Sequence, residues 1–366
     1  MRVYDLFCGA GGASTGLRAL GIKSIGIDKW ELACKSHQAN GHTTICADIE
    51  TFPWHGSCDL LWGSPPCQPF SAGGKQLGSE DERDGMPAFQ RAILELSPPV
   101  LFMENVKGLA SKVNAWYLHD FCRFLRGLGY EYDWKVLNAA DYGVPQTRMR
   151  VFLVARRDGK KIRWPEQTHF EEPGLLDGEK WVSMGDALGW NGKVGFPRKD
   201  DTGTSEDGYR ERDWWETDGP SPIVTGKTRS WVRLNTGKDW KPGGTRADAQ
   251  TIEADRPAPT VSSPGGGAGI WWKERPATTV SGDARINPPG HRINADDIAS
   301  GRVQRTRSTY SDRAGTEAER VTVVEAATLQ GFPAGYVFVG SQTAQFMQIG
   351  NAVPPIMAQL LVGANL

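Results

Sequence analysis

One cysteine, Cys67, lies in a stretch that would hold a thiol rigidly, because the segment Leu60–Gln76 reads LLWGSPPCQPFSAGGKQ. Pro65 and Pro66 precede the cysteine and Pro69 follows it. Proline fixes the backbone angle φ and removes an amide donor, so these residues predict a stiff turn at the end of a strand. A thiol held in this way suits attack on an electrophilic carbon that must later release it. A buried, inert thiol is the alternative, and the proline frame argues against it.

Acidic and amide side chains stand in or after other apolar runs. Asp5 lies in VYDLF, Asp28 ends IKSIGID, Asp48 ends the run TTICAD, and Glu104 and Asn105 end VLFMEN. Ligands of a parallel sheet bind outside the carboxyl ends of its strands, so these side chains predict one shared site. Any single acid of this kind could instead cap a helix. Three acids on successive strands favour a ligand site.

A glycine turn follows the first apolar run, with glycine at positions 9, 11 and 12. Such a turn lets the backbone approach a ligand closely and opens a helix. The nicotinamide fingerprint would need Gly or Ala at position 14, where Ser14 stands. Asp28 lies about 20 residues downstream, the spacing at which an acid binds a ribose hydroxyl. The strand-end carboxylates would repel phosphates and suit a cationic nucleoside, a description that S-adenosylmethionine fits.

The order of elements predicts an α/β fold. Apolar runs alternate with helical segments through residues 1–163, which favours a mostly parallel sheet with helices on both faces. WKVLNAADYG and RMRVFLVARR predict a final strand pair. Residues 164–319 are rich in Pro, Gly and Trp and contain three similar segments, DGPSPIVTG, DRPAPTVSS and ERPATTVSG, which predict a smaller irregular β-rich domain. Residues 320–366 return to helical patterns, and we expect them to complete the first domain.

The composition restricts the function classes. The 366 residues carry a net charge of −1, so any affinity for nucleic acid must come from a local basic surface. No window approaches the ~18 apolar residues of a membrane span, and the chain enters a strand-like run at once, so neither a membrane segment nor a signal peptide is expected. The six cysteines form no C-x-x-C pair, which favours a reduced cytoplasmic protein without structural zinc or another metal.

Five motifs together resemble the DNA (cytosine-5)-methyltransferases. DLFCGAGG is similar to the cofactor motif of that family, SPPCQPFS to its nucleophile motif and FMENV to its catalytic glutamate motif. QTRMR resembles the paired-arginine motif, and QIGNAVPP resembles the last motif, which shares the cofactor site. The motifs occur in the family's order and at plausible spacing, and the resemblance extends along nearly the whole chain, although residues 164–319 carry no motif of the family. The resemblance implies the S-adenosylmethionine-dependent, Rossmann-like methyltransferase fold, with residues 164–319 as the target-recognition domain.

The resemblance also implies roles for single residues. Cys67 would attack C6 of cytosine, Glu104 would donate to its N3, and Arg148 and Arg150 would orient the base through its O2. Asn105 would shape the pocket. The residues implied around S-adenosyl-L-methionine are Phe7, Gly9, Gly11, Gly12, Asp28, Asp48, Ile49 and Asn351. Lys29 and Trp30 directly follow the ribose acid, and which of them covers the adenine stays open.

The expected partner is double-stranded DNA, with the target cytosine flipped out of the duplex. The segment SAGGKQLGSEDERD after the nucleophile would then close over the flipped base. Lys75, Gln76, Arg229 and Arg285 are the candidate DNA contacts. We expect a monomer in a bacterial cytoplasm, encoded by a bacterium or a phage, with a cognate restriction endonuclease as a possible companion.

Three other interpretations fit parts of the sequence. A non-catalytic DNA-binding relative is disfavoured, because Cys67, Glu104, Arg148 and Arg150 are all present. Methylation of RNA on the same scaffold stays open from the sequence. A nicotinamide enzyme is disfavoured by Ser14.

The tryptophans between positions 164 and 272 predict a domain core, with stacking on bases as the alternative.

Overall fold

The computed structural model describes residues 1–66, 84–174, 178–189, 193–195, 214–225, 232–234, 280–281, 285–286, 309–311 and 317–366. For residues 193–195, 214, 216, 232–234, 280–281, 285–286, 309–311 and 317–320 the description covers the backbone alone.

Seven strands form the main sheet, in the order β3-β2-β1-β4-β5-β7-β6. Their bounds are β1 Val3–Leu6, β2 Ile25–Asp28, β3 Thr43–Cys46, β4 Leu60–Gly63, β5 Val100–Val106, β6 Glu131–Asn138 and β7 Met149–Arg156. The first five strands pair in parallel, whereas β7 is antiparallel to both β5 and β6. The predicted α/β sheet and its final strand pair are confirmed.

Eight α-helices lie among the described residues. They are α1 Gly12–Ala19, α2 Glu31–Ala39, α3 Met86–Leu96, α4 Ala115–Gly127, α5 Met184–Leu188, α6 Val323–Leu329, α7 Gln342–Asn351 and α8 Pro355–Gly363. Local chemistry sets several ends. For example, Thr322 Oγ1 accepts from the Glu325 amide while the Glu325 carboxylate accepts from the Thr322 amide, which is a capping box at the start of α6.

The main sheet has an apolar core on each face. Successive side chains of a strand point to opposite faces, and along β4 the cores alternate accordingly. Leu61 packs with Phe89 and Phe121 on one face, whereas Trp62 packs with residues of the other core, including Met357. All five side chains are at most 1% exposed. Burial of each such side chain stabilises the fold by roughly 1.5–3 kcal/mol.

The last helix, α8, packs against the first helix, α1. A Cβ at Gly16 of α1 would overlap the carbonyl oxygen of Pro355 in α8, so the two backbones touch. Leu17 of α1 shares a core with Leu361 of α8. The C-terminal residues therefore belong to the same packed unit as the N-terminal residues.

The chain divides into two compact units. The first comprises residues 1–196, 212–233 and 321–366, and the second comprises 197–211 and 234–320. The first unit also holds the short strands β8 His169–Phe170, β9 Glu179–Lys180, β10 Lys193–Gly195 and β11 Trp214–Glu216, and most of β12 Val232–Leu234. In the second unit, β13 Val280–Ser281 pairs with β14 Arg285–Ile286, and β15 Thr309–Ser311 pairs with β16 Glu317–Arg320, both antiparallel. The predicted domain boundaries near residues 163 and 319 stay predictions.

Two absences concern the described residues alone. Within them, none of the helices has the length and apolar character that crossing a membrane requires. No cluster of three or more His, Cys, Asp or Glu side chains in the same ranges could hold a metal ion.

Candidate active site

The glycine turn (residues 7–12) connects β1 to α1 through left-handed backbone. Phe7 has a φ of 57° and Gly11 has a φ of 99°. A non-glycine residue in this region is strained, and such strain is found where surrounding structure enforces it. A Cβ at Gly12 would overlap the carbonyl oxygen of Val353, so the last motif presses directly on this turn. The structure therefore joins the motifs DLFCGAGG and QIGNAVPP at one place.

Asp28, the last residue of β2, accepts hydrogen bonds from two backbone amides. Its Oδ2 accepts from the Gly9 amide at 2.9 Å and its Oδ1 accepts from the Trp30 amide at 2.8 Å. Burial raises the pKa of this carboxyl, and the hydrogen bonds from Trp30 and Gly9 oppose that rise. Each carboxylate oxygen has a further lone pair, so Asp28 can still accept from a ribose hydroxyl.

Asp48 and Ile49 follow β3, at the same edge of the sheet as Asp28, because β2 and β3 are parallel. Asp48 Oδ2 lies 3.3 Å from the Lys29 ammonium, in an ion pair exposed to solvent. Ile49 is buried, and its carbonyl oxygen accepts a hydrogen bond at 2.7 Å from Arg91 of α3. The lysine therefore binds an acid of the site, whereas the adenine contact of Lys29 or Trp30 stays open.

Asp5 differs from the expectation that all strand-end acids face a ligand. Its side chain is fully buried, and Oδ2 accepts from both the amide and the hydroxyl of Ser14, at 3.0 and 2.6 Å. The N-cap residue Gly11 has no side chain to cap α1, so Asp5 satisfies one free amide of the first helical turn. Asp5 supports the glycine turn from below.

Pro65 and Pro66, the two residues before the predicted nucleophile, are each held by a hydrogen bond. Asn105 donates from Nδ2 to the Pro65 carbonyl at 3.1 Å, and the Gly85 amide donates to the Pro66 carbonyl at 2.9 Å. A Cβ at Gly85 would meet both the Pro66 ring and, at 3.1 Å, the Phe7 ring. The residue before position 67 therefore lies beside the glycine turn. Cys67 itself lies outside the described residues.

Glu104 of β5 and Arg150 of β7 form a buried ion pair. Arg150 Nε lies 3.1 Å from Glu104 Oε1, and the two side chains are only 12% and 9% exposed. Glu104 pairs with Phe152 in the strand register, so Arg150 reaches it diagonally from two residues away. Burial lowers the pKa of Arg150, and the contact with Glu104 opposes that effect. A carboxyl oriented in this way can serve a base through its remaining hydrogen-bonding capacity.

Arg148 has different partners, although it stands only two residues from Arg150. Its Nη2 donates to the Gly350 carbonyl at 2.9 Å and its Nη1 to the Val224 carbonyl at 3.5 Å. The side chain is 2% exposed, and burial lowers its pKa well below the ordinary value. Its Nε has no hydrogen-bond partner within the described ranges. Arg148 thus connects β7 to the segments that contain Val224 and Gly350. Its role in orienting the base stays a prediction.

Gln146 is a functional candidate beyond those predicted from the sequence. Its side chain is fully buried, accepts from the Val224 amide at 3.0 Å and donates to Gln330 Oε1 at 2.8 Å. Gln330 in turn donates to the Ala352 carbonyl at 2.5 Å. The sequence did contain a signal, since Gln146 opens the QTRMR motif. These bonds join DGPSPIVTG, the first of the three similar segments, to the paired-arginine motif and to the last motif.

The remaining predicted residues fall in two groups. Asn351 is exposed and is the last residue of α7, directly after Gly350. Lys75, Gln76 and Arg229 lie outside the described residues, and for Arg285 the description covers only the backbone of β14. The DNA contacts are therefore untested.

Comparison with known proteins gives consistent results. The family model of C-5 cytosine-specific DNA methylase matches residues 1–364. The Type II methyltransferase M.AplI of Arthrospira platensis is 30% identical over 363 residues, covering 98% of this chain and 84% of that protein. The Type II methyltransferase M.NgoMIV of Neisseria gonorrhoeae is 28% identical, covering 97% and 94%.

Solved structures show the same fold. The S. pombe Dnmt2 methyltransferase superposes with a TM-score of 0.54 at 18% identity, covering 99% of this chain and 96% of that one. The Entamoeba histolytica methyltransferase EhMeth gives a TM-score of 0.51 at 16% identity, covering 100% and 97%. With the family model spanning nearly every residue and the motifs meeting at one edge of the sheet, the chain belongs to the family of C-5 cytosine-specific DNA methylases and is a DNA (cytosine-5)-methyltransferase.

Proposed function

We propose that the protein transfers a methyl group from S-adenosyl-L-methionine to C5 of cytosine in a specific short sequence of double-stranded DNA. The reaction runs through a covalent bond between Cys67 and C6 of a flipped-out base. The observation that carries this proposal is the Glu104–Arg150 pair beside the held segment that leads to position 67.

The described residues fit S-adenosylmethionine. The Asp28 carboxylate suits the ribose hydroxyls, and the glycine turn brings backbone amides rather than a phosphate-binding lysine to the ligand. Among the described residues, no atom lies within 4 Å of the place where a Cβ at Gly9 would stand, so these residues leave space beside the turn. Phe7 would contact the nucleoside from the side of Pro66. When bound, the cofactor supplies an electrophilic methyl group on a sulfonium.

The protein's own groups prepare and resolve the base. The Cys67 thiolate forms a bond to C6, and the electron pair of the C5–C6 double bond moves to C5, from where it is delocalised through C4 to N3. Glu104 donates at N3 in its protonated form, in which the guanidinium of Arg150 can still donate to the carbonyl oxygen of the same carboxyl group. This hydrogen bond stabilises the negative charge and makes C5 nucleophilic. After C5 has received the methyl group, a base removes the C5 proton. The released electron pair restores the double bond and expels the Cys67 sulfur.

Arg150 holds the carboxyl of Glu104 in a single orientation during this sequence. A positioned acid contributes about 10²–10⁴-fold to the rate, and a side chain free to rotate would lose part of that factor. Arg148 would act at one remove, by fixing Gly350 and Val224 around the base pocket. Asn105 would keep the nucleophile turn against β5 through the Pro65 carbonyl.

Site choice belongs, in this proposal, to the region 164–319. Base-edge contacts specify a sequence, whereas phosphate contacts position a protein on DNA. The motifs of the first unit serve chemistry that is common to any target site. Lys75 and Gln76 would contact the opened duplex, and Arg229 and Arg285 would lie at the groove.

A cytoplasmic monomer that protects DNA from a cognate restriction endonuclease fits this activity. The relatives M.AplI and M.NgoMIV carry the name Type II methyltransferase, which supports a role in a restriction–modification system.

The test is to express the chain in cells without cytosine methylation and to map methylation by bisulfite and nanopore sequencing. We expect C5-methylcytosine at one short duplex motif. A purified preparation should methylate duplex DNA and not tRNA. Methylation of tRNA alone would replace the proposed substrate, and unmodified genomic DNA would contradict the proposal.

A further inference from the structure

Beneath the glycine turn, four polar side chains form a continuous chain from β1 to β3. Ser14 Oγ donates to Asp5 Oδ2 at 2.6 Å and lies 3.0 Å from His37 Nε2. His37 Nδ1 lies 2.6 Å from Thr44 Oγ1. Asp5, Ser14 and His37 are each at most 1% exposed. We call these four residues the Asp5–Thr44 chain.

The His37 ring forms the floor of the glycine turn. A Cβ at Gly11 would stand 2.6 Å from His37 Cδ2, and one at Gly26 would stand 2.6 Å from His37 Nε2. The imidazole therefore fills the volume that the two glycines leave free. A change in the ring therefore alters the packing directly beneath Gly11 and Gly26.

The hydrogen bonds of the Asp5–Thr44 chain can have two sets of donors and acceptors, depending on whether Asp5 carries a proton. With Asp5 ionised, the Ser14 hydroxyl donates to Asp5, so His37 Nε2–H donates to Ser14 and the Thr44 hydroxyl donates to Nδ1. With Asp5 protonated, every bond can reverse, and the Thr44 hydroxyl then turns to the His42 carbonyl, 3.2 Å away. The imidazole is neutral in both arrangements, and only its tautomer changes.

The electrostatics keep both arrangements accessible near neutral pH. Burial raises the pKa of Asp5 to about 7, and the Ser14 hydrogen bonds oppose that rise. Burial lowers the pKa of His37 to about 3, so the ring stays neutral. Within the described part of the protein, the other titratable or charged groups that act on the Asp5–Thr44 chain are Asp28, Cys8, Arg18, His42 and Tyr336.

We propose that His37 is a positioning residue for the cofactor: through Ser14 it fixes both the first turn of α1 and the buried carboxylate beneath the glycine turn. The inference rests on the proposed function, since its readout is the affinity for S-adenosylmethionine. An ionised Asp5 below the turn favours a cationic ligand, so binding should strengthen as Asp5 loses its proton.

The experiment is calorimetric titration of the full chain with S-adenosylmethionine from pH 5.5 to 8.5. His37→Phe keeps a ring but removes both hydrogen bonds, and we expect about tenfold weaker binding, the effect of about one lost buried hydrogen bond, with a displaced pH midpoint. His37→Gln can still reach Ser14 and should recover most of the affinity. Tyr130→Phe is the matched control, because Tyr130 is buried and its hydroxyl donates to the distant Pro98 carbonyl.

The outcomes are distinguishable. If the wild type binds and His37→Phe keeps its dissociation constant and pH profile, the inference fails while the proposed function stands. If the wild type itself does not bind S-adenosylmethionine, the proposed function fails and the inference fails with it. Should His37→Phe not fold, Thr44→Val removes only the outer link of the chain, and an unchanged pH midpoint in that variant would overturn the inference.

Discussion

Arg150 Nε meets Glu104 Oε1 at 3.1 Å across two antiparallel strands, with both side chains almost removed from solvent. In the proposed mechanism the pair lies at the centre of the base pocket, and Asn105, the next residue of β5, binds the carbonyl of Pro65 in the turn that leads to Cys67. A buried ion pair is costly to break from one side, since the remaining charge is left unpaired. This relationship makes its two members testable together.

The first prediction concerns that pair. Glu104→Gln should lower the methylation rate by about 10²-fold or more, as expected for loss of a general acid, while cofactor and DNA still bind. Arg150→Lys should also lower the rate, and the double variant should lose less than the product of the single effects, because the two residues act as one unit. Rates are measured with a tritiated methyl donor under single-turnover conditions.

The control for Arg150→Lys is Arg156→Lys. Arg156 lies on the same strand, is buried and pairs through Nε with Asp158 at 2.7 Å, at the far end of β7. It should lose stability without a comparable loss of rate. Equal rate losses in the two lysine variants would show that the effect on Arg150 is structural only.

The second prediction concerns the contact between the glycine turn and the last motif. Gly12→Ala places a Cβ against the Val353 carbonyl, so the turn must move. We expect a loss of about 1–3 kcal/mol of stability from the overlap, together with much weaker S-adenosylmethionine binding. Gly127→Ala is the control, because no atom of the residues that the structure describes lies within 4 Å of its Cβ position. An affinity that is unchanged in Gly12→Ala would separate the turn from the cofactor site.

The third prediction is a dependence of stability on pH. Burial raises the Asp5 pKa from 3.8 to about 7, so the folded state binds more protons than the unfolded state between these values. Asp5 therefore makes stability fall as pH rises from about 4 to about 7. Burial lowers the pKa of His37 from 6.5 to about 3, so the unfolded state binds more protons between these values. His37 therefore makes stability rise as pH rises from about 3 to about 6.5. The two effects partly cancel in the wild type.

Asp5→Asn separates them, because an amide resembles the protonated carboxyl and does not titrate. Relative to the wild type, the variant should gain roughly 2 kcal/mol between pH 5 and pH 7, measured by urea unfolding. A difference that stays constant over this range would mean that Asp5 does not titrate there.

The fourth prediction concerns site choice. Exchange of residues 166–319 for the corresponding segment of a relative with another target should transfer the target sequence and leave S-adenosylmethionine affinity unchanged. Within this range the original residues 221–225 are retained, because Val224 is bonded to Gln146 and Arg148. Single changes at Arg285 or Ser263 should each cost roughly 1–3 kcal/mol of discrimination if the residue reads a base. A chimaera that still methylates the original site would refute this assignment.

The sequence predicted the sheet, the glycine turn and the placing of Asp28 and Glu104, because these depend on local periodicity and on where strands end. It did not separate Arg148 from Arg150. The two have equivalent spacing, and what distinguishes them is that Arg148 binds the carbonyls of Val224 and Gly350, 76 and 202 residues away. Asp5 was assigned to the ligand for the same reason, since no local pattern reveals that Ser14 is its partner.

The central claim is the covalent step at Cys67, and trapping tests it most directly. A duplex carrying 5-fluorocytosine at the target has no proton to lose from C5, so the adduct should persist once the methyl group has been transferred. We predict a protein–DNA band that resists denaturation, requires S-adenosylmethionine and disappears in Cys67→Ala, while Cys122→Ala, a buried thiol of α4, keeps it. A trapped band that survives Cys67→Ala would contradict the account.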